Sequence, residues 1–128
     1  MVREHVRVLI ADREESVRTA MFRALLDRYV FCDCVSSGGD AIDRLGERSY
    51  ALVVLDFGLP RAGAAAVLEA LRDMPVKTRP MVLALASTGG FDAHDSDGEL
   101  VQMILRKPLR VSEAAEMVEA CITHRPTA

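Results

Sequence analysis

The sequence predicts a doubly wound α/β domain: a five-stranded parallel sheet with helices on both faces. Three observations carry this. Short apolar, β-branched runs alternate along the chain with segments whose apolar residues recur at helical spacing. The third run, residues 50–55 (YALVVL), is apolar throughout, as a strand covered on both faces must be. No repeat, linker or low-complexity tract divides the 128 residues, so residues 1–128 read as one domain with one continuous core.

Residues 6–11 (VRVLIA) form the first strand, interrupted at Asp12. Val17, Ala20, Met21, Ala24 and Leu25 then mark one face of a first helix. Residues 30–35 give a second strand, with Ser36, Ser37, Gly38 and Gly39 as punctuation. Ala41, Ile42 and Leu45 mark a short second helix that stops near Gly46. After the third strand comes a turn at residues 58–60. A third helix follows, with Ala64, Val67, Leu68 and Leu71 inward, ended before Pro75. Residues 81–86 (MVLALA) are the fourth strand and 101–105 the fifth. Ser112 is the expected N-cap of a last helix with Ala114, Val118, Cys121 and Ile122 inward. Between the last two strands, residues 88–98 (TGGFDAHDSDG) occupy a helix's place in the topology. Their glycines and aspartates predict a loop or one frayed turn, a degenerate fourth helix.

Composition narrows the function. Sixteen Lys and Arg against 19 Asp and Glu give a net charge of −3, so there is no basic footprint for nucleic acid. No apolar run approaches the ~18–20 residues of a membrane span. The first twelve residues carry Arg3, Glu4 and Arg7 and lack the apolar stretch of a secretory signal. The three cysteines (Cys32, Cys34, Cys121) have no zinc spacing and read as reduced thiols of a cytoplasmic protein. Cys32 and Cys34 share one strand face as packing residues. His5, His94 and His124 are isolated surface residues. The acidic run at residues 95–97 fails as a calcium loop, because that register begins at Ala93 and ends at Ile104.

Chemistry is expected at the carboxyl ends of the strands, where such sheets bind ligands. Asp12 ends the first strand and Asp56 the third. Ser87 and Thr88 follow the fourth, and Lys107, followed by Pro108, ends the fifth. Two carboxylates, a hydroxyl and an ammonium therefore converge on one edge.

Over its whole length the chain resembles the receiver domain of bacterial two-component response regulators, of the chemotaxis-type single-domain kind. The resemblance rests on VLIAD (residues 8–12), VVLDFGLP (53–60), Ser87 after the apolar strand, and RKPL (106–109). It implies a flavodoxin-like fold and a phosphorylation switch rather than an enzyme. Asp56 would accept a phosphoryl group from a phosphohistidine on a sensor histidine kinase or phosphotransfer protein. Ser87 would bind a phosphoryl oxygen and Lys107 would pair with Asp56 and then with the phosphoryl group. Asp12, Asp56 and the Gly58 carbonyl would hold Mg2+. Phosphoryl transfer needs in-line positioning and cations on the equatorial oxygens, and little else from the protein. The resemblance also implies a cis Lys107–Pro108 bond, in the X–Pro context where cis costs about 0.5–1 kcal/mol.

Two departures from the family pattern stand out. The second of two adjacent acids after the first strand is here Arg13. Turned inward, Arg13 and Lys107 neutralise Asp12 and Asp56, and Mg2+ binding is weak or absent; turned to solvent, Arg13 leaves a weakened metal site. The aromatic residue expected three positions before the lysine is Ile104. Since only residues 125–128 follow the last helix, the expectation is a stand-alone regulator. It would signal by binding an unidentified output protein or pass phosphate along a relay, with a homodimer left open. The alternative is a pseudo-receiver, a protein-interaction module that is not phosphorylated because Arg13 disrupts the magnesium site. A small aspartate-nucleophile hydrolase is disfavoured, since Phe57, Gly58 and Leu59 follow Asp56 with no second acid.

Overall fold

A computed structural model describes residues 6–87 and 99–124. In chain order the elements are β1 (Arg7–Ala11), α1 (Glu15–Leu26), β2 (Phe31–Val35), α2 (Gly38–Glu47), β3 (Leu52–Asp56), α3 (Gly63–Arg72), β4 (Met81–Ala86), β5 (Val101–Arg106) and α4 (Val111–Thr123). The strands form one parallel sheet in the order β2-β1-β3-β4-β5. The chain steps outward from β1 to β2, then returns past β1 to build β3, β4 and β5. Strand order therefore reverses between β1 and β3, which opens a crevice at their carboxyl ends.

Alternation along the strands sorts the apolar residues into two cores. On one face Val8, Ile10, Leu52, Val54, Leu83 and Leu85 meet Met21 and Leu25 of α1 and Ala114 and Val118 of α4. On the other, Leu9, Ala11, Val53 and Leu55 meet Ala41 of α2 and Val67 and Leu71 of α3. Every residue of β3 is buried, as its unbroken apolar run requires. Each fully buried aliphatic side chain stabilises by roughly 1.5–3 kcal/mol, so this double core fixes the height and tilt of the strand ends.

Several local expectations are corrected. Gly38 and Gly39, read as punctuation after the second strand, are the first two residues of α2, while the helix does end near Gly46, at Glu47. Ser37 caps the helix, its hydroxyl accepting from Asp40 N at 3.1 Å. Gly38 is there for contact: a Cβ on it would come 2.7 Å from Gly63 Cα, so α2 and α3 touch backbone to backbone. At α4 the N-cap is Arg110, without a side-chain cap, and Ser112 is already inside the helix. Arg61 and Ala62, before α3, both take left-handed backbone (φ 59° and 52°). For non-glycine residues this conformation is costly.

The edge strand β5 alternates between half-buried and exposed residues. It carries a bulge opposite Val82 and Leu83, where Gln102 Oε1 accepts from Val82 N at 2.7 Å. Ile104 is 46% exposed. The expectation for residues 88–98 lies outside the described residues, as do those for His5, His94 and residues 125–128.

Candidate functional site

Asp12 and Asp56 are both fully buried, and they are the only buried charged or polar side chains among the described residues. Each is delivered by its strand. The ladder continues past the strand ends, with Asp12 N donating to Val35 O, Phe57 N to Leu85 O and Lys107 N to Ala86 O (3.1, 2.9 and 2.8 Å). The neighbouring chain therefore holds Asp12, Asp56 and Lys107 at one level. Their side chains meet over the crevice between β1 and β3. The Lys107–Pro108 bond is cis, as the family pattern implies.

Lys107 is the hub. Its side chain is 9% exposed, and its ammonium lies 3.0 Å from Asp12 Oδ2, 3.1 Å from Glu14 Oε1 and 3.7 Å from Asp56 Oδ1. Its hydrogen bonds go to Asp12 Oδ1 and Glu14 Oε1, so Asp12 Oδ2 is paired by charge but carries no hydrogen bond among the described residues. The Asp56 carboxylate is held by backbone: Oδ1 accepts from Gly58 N at 2.8 Å and Oδ2 from Arg13 N at 3.1 Å. Asp12 Oδ1 likewise accepts from Glu14 N at 2.8 Å.

Arg13 turns inward. Its Nη1 donates to Gly58 O at 2.9 Å and its Nε lies 3.8 Å from Asp56 Oδ2. Gly58 makes room for it, because a Cβ there would come 2.8 Å from the Arg13 Cζ. Glu14, an acid that the sequence offers beside but not at the position Arg13 occupies, takes part by holding Lys107. It sits just outside α1, two residues after a strand-end aspartate, and that position was the available signal.

Burial, with the neighbouring Asp56 charge, pushes the Asp12 carboxyl above its ordinary value, against the Glu14 amide and the Lys107 ammonium. Burial alone would lower Lys107. Its hydrogen bonds and charge pairing with Asp12 and Glu14, with Asp56 adding, overcome that and raise it. Ser87 is exposed at the rim, and its hydroxyl makes no hydrogen bond among the described residues. With Lys107, Glu14, Val17 and Leu109 it lines a cleft of about 470 Å³.

The donors present can be tested against a hard dication. The buried Asp12 Oδ2 is the one feature that favours it. Against it, the Gly58 carbonyl is taken by the Arg13 guanidinium, and Lys107 stands on both oxygens of Asp12. Among the described residues no group of three or more acids, histidines or cysteines is arranged to hold a metal. The guanidinium stays protonated at any working pH, and like unit charges ~4 Å apart repel by about 4 kcal/mol at an effective dielectric of 20. As arranged, the pocket does not fit Mg2+.

No family model matches the sequence. Curated relatives do. The transcriptional regulatory protein DltR of Streptococcus agalactiae is 28% identical over 87 residues, covering 68% of this chain. The transcriptional regulatory protein CutR of Streptomyces coelicolor is 29% identical over 116 residues, 90% of this chain. The chain spans 38% of the first and 52% of the second. Among solved structures, a CheY-like response regulator receiver domain from Methylobacillus flagellatus superposes with a TM-score of 0.74 at 24% identity, covering 90% of this chain and 97% of its own. The signal receiver domain of a Luxo repressor protein from Vibrio parahaemolyticus gives 0.80 at 21%, covering 93% and 91%. No described helix is long and apolar enough to cross a membrane. Strand order, full-length coverage and the match to receiver structures together give this chain the receiver-domain fold of response regulators.

Proposed function

We propose that this domain is a phosphorylation-responsive signalling module in which Asp56 is the phosphoryl acceptor, acting through protein contacts rather than by turnover of a free substrate. One observation carries the reading. A fully buried carboxylate stands at the carboxyl end of the central strand, held by two backbone amides, with one cation set back from each oxygen. An Asp56 oxygen attacks the phosphorus of a phosphohistidine on a histidine kinase or phosphotransfer protein. A P–O bond forms, the P–N bond breaks, and the imidazole leaves with a proton. Lys107 follows the charge from carboxylate to phosphoryl group, and Ser87 at the rim is the hydroxyl for a phosphoryl oxygen. With Arg13 on the Gly58 carbonyl, Asp12, Asp56 and Gly58 do not hold Mg2+ as they stand. The output partner is another protein, a second copy of the chain included.

The test is intact mass after treatment with acetyl phosphate. Wild type gains one phosphoryl group and Asp56→Asn does not; equal labelling of the two removes Asp56 from the role. The contact between Arg13 and the Gly58 carbonyl favours a second reading, a pseudo-receiver used as a binding module without phosphorylation. It predicts no labelling of wild type under any condition.

A further inference from the structure

We infer that Arg13 stands in for the divalent cation, so that this pocket captures a phosphoryl oxyanion, and Asp56 is phosphorylated, without added metal. The inference rests on Asp56 being the acceptor. Its basis is the placement of the two protein cations around one carboxylate. Arg13 Nε is 3.8 Å from Oδ2 and Lys107 Nζ 3.7 Å from Oδ1. Both distances are too long for hydrogen bonds, so neither cation is spent on Asp56. Arg13 is anchored elsewhere, through Nη1 on Gly58 O. Its Nη2 and Nε hydrogens have no hydrogen-bond partner among the described residues. The Arg13 side chain is 46% exposed, so it lies between solvent and the buried acceptor. A planar fork of donors matches phosphoryl oxygens better than a point charge does. It does so from the Gly58 carbonyl, where a metal would otherwise be held.

The step balances without a metal. An Asp56 oxygen forms the P–O bond while the donor's bond to phosphorus breaks: P–N for phosphohistidine, P–O for acetyl phosphate. The phosphoimidazole, already protonated on its other ring nitrogen, leaves as neutral imidazole, and acetate leaves as the anion. The added negative charge on the phosphoryl oxygens meets the Arg13 and Lys107 cations.

The experiment follows labelling of the full chain by acetyl phosphate in EDTA and in Mg2+, with bound beryllofluoride read by fluorine NMR as a second measure of oxyanion capture. Wild type is expected to label at rates within about threefold of each other in the two buffers, and to bind beryllofluoride in EDTA. Arg13→Gln should lose roughly 10²-fold in EDTA, the scale of removing one transition-state donor. Arg13→Asp should label only with Mg2+. A wild-type rate at least about tenfold lower in EDTA overturns the inference, as does Arg13→Gln labelling like wild type there. Should wild type stay inert while Arg13→Asp labels with Mg2+, Arg13 is a plug; the inference then falls and the Asp56 scaffold stands. Labelling of Asp56→Asn at the wild-type rate, or inertness of every variant toward both reagents, removes the acceptor reading itself.

Discussion

Among the described residues, Asp33 and Asp56 each sit between a pair of cations. Asp33, in the middle of edge strand β2, accepts from the Tyr50 hydroxyl at 2.6 Å and from Arg7 Nη1 at 3.2 Å, with Arg48 Nε 3.9 Å away. Asp56, at the end of β3, has its nearest cationic nitrogens at 3.7 and 3.8 Å, and its hydrogen bonds come from backbone amides. At Asp33 the partners close on the carboxylate and tie β2 to β1 and to the entry of β3, which is a structural clasp. At Asp56 the cations are held back by other acceptors, Gly58 O for Arg13 and Asp12 with Glu14 for Lys107. Positive charge is therefore arranged around a space rather than on the carboxylate. Charge count does not separate the two sites; what the cations are anchored to does.

The widest separation should come from deleting each carboxylate. Asp33→Ala should cost about 2 kcal/mol, because the buried Tyr50 hydroxyl loses its acceptor and two guanidiniums lose their partner. Asp56→Asn should cost less, about 1 kcal/mol, since it gives up one of the two backbone N–H bonds but relieves the charge crowding with Asp12. Urea unfolding of both variants checks this; a costly Asp56→Asn would make that site a clasp too.

Next in size is Arg13→Asp. It exchanges a cation for an acid beside Asp56 and frees the Gly58 carbonyl, so Mg2+ affinity should rise about tenfold or more, roughly 1.4 kcal/mol. Calorimetric titration of both proteins decides, and equal affinities would mean that the guanidinium does not guard the site in solution.

Tyr50→Phe removes one hydrogen bond from the clasp and should cost about 1 kcal/mol. The Tyr50 hydroxyl is pushed above its ordinary value by burial and by the Asp33 carboxylate that accepts from it. A raised value means that its contribution is fully present below the ordinary 10.0 and lost as pH rises beyond it. In a tyrosinate titration Tyr50 should therefore ionise only after that point, and an unshifted Tyr50 would show the clasp to be open.

The smallest effect is a common alkaline limit. Burial pushes the Cys32 thiol from 9.0 to about 12, and Lys107 is raised above 10.5 by Asp12 and Glu14, against its own burial. Both raised groups stabilise the fold fully below their ordinary values and lose that contribution as pH rises through the shifted ones. Stability should stay level toward pH 9 and fall beyond it, and Cys32→Ala should flatten the first part of the fall. An unchanged slope in that variant would place the alkaline limit elsewhere.

The strands were legible because they are locally apolar: residues 81–86 of the sequence are β4 residue for residue. The strand-end residues were legible because a parallel sheet sends its loops to one edge, and Asp12, Asp56 and Lys107 do meet there. The glycines were legible only in part. The helix does stop near Gly46, but Gly38 and Gly39, which look like punctuation after β2, already belong to α2, where Gly38 lets α3 approach. That reason lies in a partner element 25 residues away, beyond any local pattern. Ser112 is not the cap either, since α4 starts at Val111, one residue before it.

The sequence by itself determined the order of elements, the two-sided burial of β3 and which residues reach the active edge, because hydrophobic period and strand polarity are properties of the chain. It also placed a guanidinium beside the two acids. Which way that guanidinium turns was decided only in three dimensions. Gly58 has no Cβ to exclude it, its carbonyl is there to accept from it, and Glu14 joins Asp12 in holding Lys107 aside. A rotamer is chosen by the space and the acceptors left open to it, and the deciding ones here belong to Gly58, 45 residues away, which no run of residues around Arg13 contains.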